Sequence, residues 1–440
     1  MSFKEAEAYL DSLGIDAMKS MAPTLHRVEA VCEALNNPQD QINAIHVTGT
    51  NGKTTTSRIA TSLLAATGLR VGTYTSPHLE SVRERIALNG TPISEEAFGE
   101  VFDHLMPFVQ VVEERLGEQL SYFEILTAMF FLWASENVDV SVVEVGLGGE
   151  WDATNVIQAP VAVITNIGLD HVQLLGQDRA TIAREKAGII KQDAFVVTGE
   201  RDPAIVEIFR EKAEAKGATL RVLDKDFTLT LNELALGGRY ISVAASGGIS
   251  YKHLFLPLHG AHQGVNAAVA IEAVTSFMPS VSLDEEVIAA GLATVKVSGR
   301  IETVPGKRVP VVLDVAHNPD GMSALVTSLA EAFAFGRVVF VVGILKDKDY
   351  KGMLAEMARI PSALVLTEPR FARSAPAEEL LAASVELGLS AEVVQDVPGA
   401  VDRALTTAEA TDLVCVTGSH YVVGEARPHL VGGSTATVPR

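Results

Sequence analysis

The stretch Ile45-His46-Val47-Thr48-Gly49-Thr50-Asn51-Gly52-Lys53-Thr54-Thr55-Thr56 limits the possible folds more than any other part of the chain. An apolar run suited to a strand ends in a glycine-rich turn, and a Lys-Thr pair then opens a helix-compatible segment. Strand, turn and helix in that order form a phosphate cradle. Amides freed by the glycines, the positive end of the helix and Lys53 all act on anionic oxygens, and the Thr54 hydroxyl is placed for the Mg²⁺ of a nucleotide. The spacing is shorter than in the general P-loop: only Thr50 and Asn51 separate Gly49 from Gly52, and Val47 stands where the general motif has Gly. An ordinary Gly-rich turn in a βα unit would share these features. The nucleotide reading therefore depends on metal ligands and an acceptor site elsewhere in the chain.

At 440 residues there is room for about two or three domains with large cores. The hydrophobic share of 48%, with only 6% aromatic, suits an α/β protein rich in Val, Ala and Leu. Lys and Arg number 35 against 55 Asp and Glu, a net charge of −20, which argues against nucleic acid or an anionic membrane as partner. Anionic substrates would then need basic residues concentrated locally. Cys32 and Cys415 lie far apart without metal-ligand spacing and read as buried thiols in a reducing compartment. The N-terminus lacks the basic and apolar regions of a signal peptide, and the run from Ile125 to Ala134 is too short to span a bilayer. A cytoplasmic location is expected.

Residues 3–36 read as helices separated by a turn. The cradle helix is expected over Lys53–Thr67 with Gly68 as its stop, then a strand over Arg70–Thr75. Ser94–Leu116 is helical in pattern, with Pro107 expected to kink or divide it, and Tyr122–Glu136 is a second helix. Val138–Val145 and Val161–Thr165 are β-branched runs of the kind buried between helix layers. Alternation continues through Ala194–Val197, a helix from Pro203 and Leu220–Leu223. Between Phe227 and Leu258 alternating apolar and polar residues, with Gly pairs as turns, indicate an antiparallel meander. Helices at His262–Phe277 and Asp284–Thr294 follow. A second cycle then begins near residue 298, with strands at Val309–Leu313, Val338–Val342, Ala363–Leu366 and Leu413–Val416 and helices from Pro319, Pro376 and Pro398. The fold class is α/β: an N-terminal P-loop-type doubly wound, mostly parallel sheet with a small antiparallel meander, plus a smaller C-terminal Rossmann-like α/β domain.

Several polar residues fall just beyond the carboxyl ends of strands, where such folds place their sites. Ser76, Glu144 and Asp170-His171 supply a hydroxyl, a carboxylate and an imidazole that together suit a divalent metal, Mg²⁺ or Mn²⁺. Lys186 reads alone as a solvated helix lysine. Asp314 ends a strand and could receive a ribose hydroxyl or cap the following helix.

Taken in order, Gly49-Thr50-Asn51-Gly52-Lys53-Thr54, Thr75-Ser76-Pro77-His78-Leu79, Tyr122-Phe123-Glu124, Glu144-Val145-Gly146-Leu147-Gly148-Gly149, Asp152-Ala153-Thr154-Asn155, Asp170-His171, Arg184-Glu185-Lys186-Ala187-Gly188, His262-Gln263, Gly299-Arg300 and Asp314 to Pro319 resemble the dihydrofolate synthase/folylpolyglutamate synthase family of the Mur-ligase superfamily. The likeness spans roughly residues 20–430. The cradle would fit any Mur ligase; the Ser-Pro-His-Leu, Tyr-Phe-Glu and Asp-Ala-Thr-Asn stretches are the ones that point to folate.

The resemblance implies an ATP-dependent amide ligase. A pteroyl or folyl carboxylate attacks the γ-phosphate, and L-glutamate then displaces phosphate from the acyl phosphate. It implies ATP contacts at Gly49, Thr50, Asn51, Gly52, Lys53, Thr54, Asn266, Arg300 and Asp314. Mg²⁺ would be held at Ser76 and Glu144, with a second ion at His171 and Lys186, the latter as a carbamylated lysine, and a monovalent cation is a further expectation. Lys53, Lys186, His171 and His317 are the implied catalytic residues. Ser121, Tyr122, Phe123, Glu124, Trp151, Asp152 and Ala153 are the implied pterin or folate contacts. Residues 1–297 would be the ATP-binding domain with the folate site and residues 298–440 the glutamate-ligase domain of a monomer acting on small molecules: dihydropteroate or folate, L-glutamate and ATP.

The sequence departs from the family in places. Glu150 stands where Arg is common and Trp151 where Leu is common, Thr54-Thr55 replaces a frequent Gly-Ser, and His420 is atypical. Two other readings are a ligase acting on a UDP-muramoyl peptide, which would need a longer N-terminal region, and a silent nucleotide-binding regulator, which predicts loss of Lys53, Glu144, His171 or Lys186. All four are present.

Overall fold

The computed structural model describes residues 2–14, 24–281 and 283–432. Helices Phe3–Leu13 and His26–Ala34 form as expected; the turn between them falls outside the described residues. Among the described residues the strands make three sheets. The largest runs, edge to edge, Thr91–Pro92, Ile86–Leu88, Val71–Tyr74, Val140–Glu144, Ala44–Thr48, Val161–Ile164, Phe195–Thr198 and Thr219–Val222. All neighbours are parallel except the first two strands, which turn back as hairpins on Val71–Tyr74.

The β-branched composition follows from burial on both faces. Successive side chains of a strand point to opposite sides. Val161 and Val163 thus join the core beneath helices Lys53–Ala66 and Ala261–Phe277, while Ala162 and Ile164 join the core beneath Arg179–Lys186 and Pro203–Ala215. Helix Tyr122–Asn137 is buried nearly all round, which explains its continuous apolar composition. The expected meander is present as three antiparallel strands, Thr228–Ala235, Gly238–Ala244 and Ser250–Leu256.

The C-terminal sheet runs Glu302–Val304, Val311–Leu313, Leu413–Thr417, Val338–Val342, Ser362–Leu366 and Ser390–Val393, parallel apart from its first, antiparallel strand. Pro107 is a correction. Helix Glu95–Leu116 continues undivided through it, because Pro107 lies on the exposed side, where water can replace the hydrogen bond its nitrogen cannot donate. Also unanticipated were the short edge strands, helix Tyr350–Met357 and helix His420–Val431, which contains Pro428. No helix among the described residues is long and apolar enough to cross a membrane.

Parallel order has one consequence for chemistry. The loops after Ala44–Thr48, Val140–Glu144 and Val161–Ile164 emerge side by side from the middle of the large sheet. Loops after Val311–Leu313, Val338–Val342 and Leu413–Thr417 meet them from the smaller sheet, and a cavity of about 610 Å³ lies between.

Candidate active site

The cradle forms the floor of this cavity. Gly52 precedes helix Lys53–Ala66 in the left-handed region, at φ 84°, and no side chain caps the helix, so its first-turn amides face the cavity without a side-chain acceptor. Both glycines are required by their surroundings. A Cβ on Gly52 would meet Asn266 Oδ1 at 2.5 Å, and one on Gly49 (φ 147°) would meet Thr165 Oγ1 at 1.8 Å. Lys53 Nζ donates to the carbonyls of Gly49 and Thr50 at 3.0 and 3.3 Å. Lys186 Nζ, 3% exposed as a residue, donates to the same Gly49 carbonyl at 2.9 Å. Burial, with the charge of Lys53 next, pushes Lys186 down to about 7. Thr54 Oγ1 is bonded to Glu144 rather than left open for an ion, at 2.9 Å from Oε1.

Glu144 is the residue best suited to a bound cation. Its Oε2 is buried without a hydrogen-bond partner, and burial pushes the carboxyl up to about 7 despite Lys53, Thr54, Arg300 and Arg58 pulling it down. Ser76 lines the same cavity. Among the described residues no group of three or more His, Cys, Asp or Glu could hold a metal. One carboxylate and a hydroxyl beside a phosphate cradle suit Mg²⁺, which keeps waters and takes ligands from substrate phosphates. His171 and Lys186, expected at a second ion, are engaged by Lys348 and Gly49 respectively.

The opposite wall is cationic. Lys348 Nζ lies 2.5 Å from Asp170 Oδ1 and 3.3 Å from His171 Nε2. His317 Nε2 is 3.4 Å from Asp170 Oδ2, its Nδ1 donates to the Val315 carbonyl at 2.9 Å, and Asn318 Nδ2 reaches both Asn51 and Asp170. Burial alone would raise Asp170, but the His317 hydrogen bond and the charges of His317 and Lys348 hold it well below the carboxylate range. Burial, then Lys348, brings His171 down to about 4, a neutral imidazole. Asp314 accepts from the amides of Ile301 and Ala316, both at 2.9 Å, and faces Arg300. It does not cap the following helix, a task that Asn318 performs. His420 stands over His317 with ring centres 5.4 Å apart. Seven Lys and Arg against five Asp and Glu line the cavity, a locally basic balance in an acidic chain.

Of the expected pterin contacts, Phe123 lines the cavity, where its ring packs against Gly146. Ser121, Tyr122, Glu124, Trp151, Asp152 and Ala153 lie outside the lining. Ser121 and Glu124 form a capping box, with Glu124 also paired to buried Arg27 at 3.0 Å. Tyr122 is buried beneath Arg85. Asp152 caps the turn Ala153–Val156 and holds the cavity's glycine loop through the Leu147 amide at 2.9 Å. Trp151 is 51% exposed, and the reversed charge of Glu150 faces solvent. Lys348, Arg85 and Arg179 line the cavity and were not anticipated.

A short phosphate cradle, a buried acid lacking one partner beside it and basic residues from a second sheet suit an ATP-dependent ligase of the Mur type, the class that sequence similarity assigns to both halves of the chain. The sequence model described as Mur ligase middle domain matches residues 101–274, and that described as Mur ligase, glutamate ligase domain matches residues 299–420. The chain is 37% identical, over 439 residues, to a dihydrofolate synthase/folylpolyglutamate synthase of Mycobacterium tuberculosis, covering 92% of this chain and 89% of that one. It superposes on the Mycobacterium tuberculosis folylpolyglutamate synthase complexed with ADP with a TM-score of 0.92 at 37% identity, over 98% of each chain. For Escherichia coli FolC in complex with DHPP and ADP the TM-score is 0.86 at 31% identity, over 97% of each. The chain belongs to the dihydrofolate synthase/folylpolyglutamate synthase family.

Proposed function

We propose that this enzyme uses ATP to join L-glutamate to the carboxylate of dihydropteroate, of folate, or of both, releasing ADP and phosphate. The observation that carries the reading is the meeting of Lys53 and Lys186 on Gly49, across from a buried Glu144 oxygen without a partner. Anions brought there would be neutralised from several sides. Solved relatives in complex with ADP, and with DHPP and ADP, support a nucleotide and a pteroyl ligand.

In this reading the amides and Lys53 hold the triphosphate, with Asn266, Arg300 and Asp314 on its nucleoside side. The acceptor carboxylate attacks the γ-phosphate to give an acyl phosphate, and the glutamate amine then expels phosphate. Positioning and fixed charge supply most of the rate. Ser76 and Glu144 would hold Mg²⁺, which neutralises phosphate charge when bound. Lys186, near 7, is partly a free amine at neutral pH and so is able to take up carbon dioxide as a carbamate. His317 and Lys348 would orient the incoming amino acid. Residues 1–297 serve as the ATP and folate domain and residues 298–440 as the glutamate-ligase domain. Buried free Cys32 and Cys415 fit a cytoplasmic setting.

The test is phosphate release from ATP with L-glutamate and, in turn, dihydropteroate, tetrahydrofolate and a UDP-muramoyl peptide. Release with a pteroyl substrate is expected; release only with the muramoyl peptide, or with none, overturns the reading.

A further inference from the structure

Arg85 has no part in the ligation as described, yet it lines the cavity and is 4% exposed. Its Nε donates to His78 Nδ1 at 3.0 Å, and its guanidinium lies 5.1 Å from the centre of the Tyr122 ring. Arg27 pairs with Glu124, Arg221 with Glu272 and Arg239 with Glu331. Arg85 pairs with no carboxylate among the described residues. A buried cation without a counter-anion is costly, and the imidazole acceptor orients the guanidinium without balancing its charge. Nη1 and Nη2 remain as a planar fork suited to a carboxylate.

Position decides which carboxylate. Lys53 is held on the carbonyls of Gly49 and Thr50, whereas Arg85 bonds to His78 and lies over the Tyr122 ring. Arg85 therefore belongs to the aromatic wall rather than the phosphate cradle, while the reacting carboxylate must sit at the cradle. A terminal glutamyl residue offers two carboxylates, and one turnover consumes only one of them. Dihydropteroate has a single carboxylate.

We propose that Arg85 binds the non-reacting carboxylate of a substrate that already ends in a glutamyl residue, and so sets the preference for folyl over pteroyl acceptors. This rests on the ligation reading above.

The test compares kcat/KM for tetrahydrofolate with that for its monoamide at the non-reacting carboxylate. The wild type should favour the free acid by about tenfold to a hundredfold, mostly in KM, and Arg85→Gln should lose most of that preference. Arg85→Lys keeps the charge without the fork, so it should keep part of the preference. If Arg85→Gln does not fold, as judged by its melting, the lysine variant decides. A wild type indifferent to the amide, or variants that keep the full preference, would overturn the inference and leave the ligase reading standing. Turnover of dihydropteroate alone would do the same. Absence of phosphate release with every pteroyl substrate would instead remove the reading beneath it.

Discussion

Lys53 and Lys186 direct their ammonium groups at one acceptor, the carbonyl oxygen of Gly49, from 3.0 and 2.9 Å. Two cations on one neutral oxygen repel each other, and burial adds to the cost. An anion between them, or conversion of Lys186 to a carbamate, relieves both. Lys186→Ala should therefore be inactive, and free acetate should restore part of the activity by supplying the missing carboxylate. Steady-state rates with and without acetate check this. Full activity in Lys186→Ala would take Lys186 out of the reaction.

As a Mg²⁺ ligand, Glu144 would give up stability for function. Its carboxyl is buried, with one oxygen lacking any partner. Glu144→Gln removes the buried charge, so its melting temperature should equal or exceed that of the wild type. Activity should fall about a hundredfold or more, as for loss of one fixed electrostatic group, and more Mg²⁺ should be needed for half-maximal rate. A variant both less stable and unchanged in its Mg²⁺ requirement would show that Glu144 is a structural acid.

The cradle, Glu144 and Asp170-His171 were legible because a strand, its end and the next turn are contiguous, and the fold class fixes where such ends meet. Lys348 was not legible. In Lys346-Asp347-Lys348-Asp349 it reads as a solvated charge run, and only the packing of two sheets brings it to Asp170, 178 residues away. Arg85 was hidden for the same reason, since its isolation from acids is a property of three dimensions. Ser121-Tyr122-Phe123-Glu124 carried a capping-box spacing that accounts for two of its residues without any ligand. Thr91–Pro92 is two residues long and leaves no period to detect.

The strand beneath the cradle makes stability depend on pH. His46 is fully buried, with Nε2 2.9 Å from Thr154 Oγ1 and Nδ1 without a partner. Burial, then the charge of Lys191, holds it down to about 3 against an ordinary 6.5. Between those values the unfolded chain binds the proton and the folded one does not, so stability falls as pH drops through about 6.5 towards 3. His46→Gln can keep the bond to Thr154 and cannot titrate. Between about pH 7 and pH 5 it should lose about 2 kcal/mol less stability than the wild type in urea unfolding. Parallel pH profiles for the two proteins would contradict a neutral buried His46.

The central claim is that a pteroyl or folyl carboxylate is activated by phosphoryl transfer at Gly49–Thr54 and then captured by glutamate. The most direct measurement uses substrate carrying a heavy-oxygen label in its reacting carboxylate, with ATP, L-glutamate and Mg²⁺. The account predicts one labelled oxygen in each phosphate released and a product longer by one glutamyl residue. Unlabelled phosphate accompanying that product would contradict the acyl phosphate, and phosphate release with no gain of a glutamyl residue would contradict the ligation.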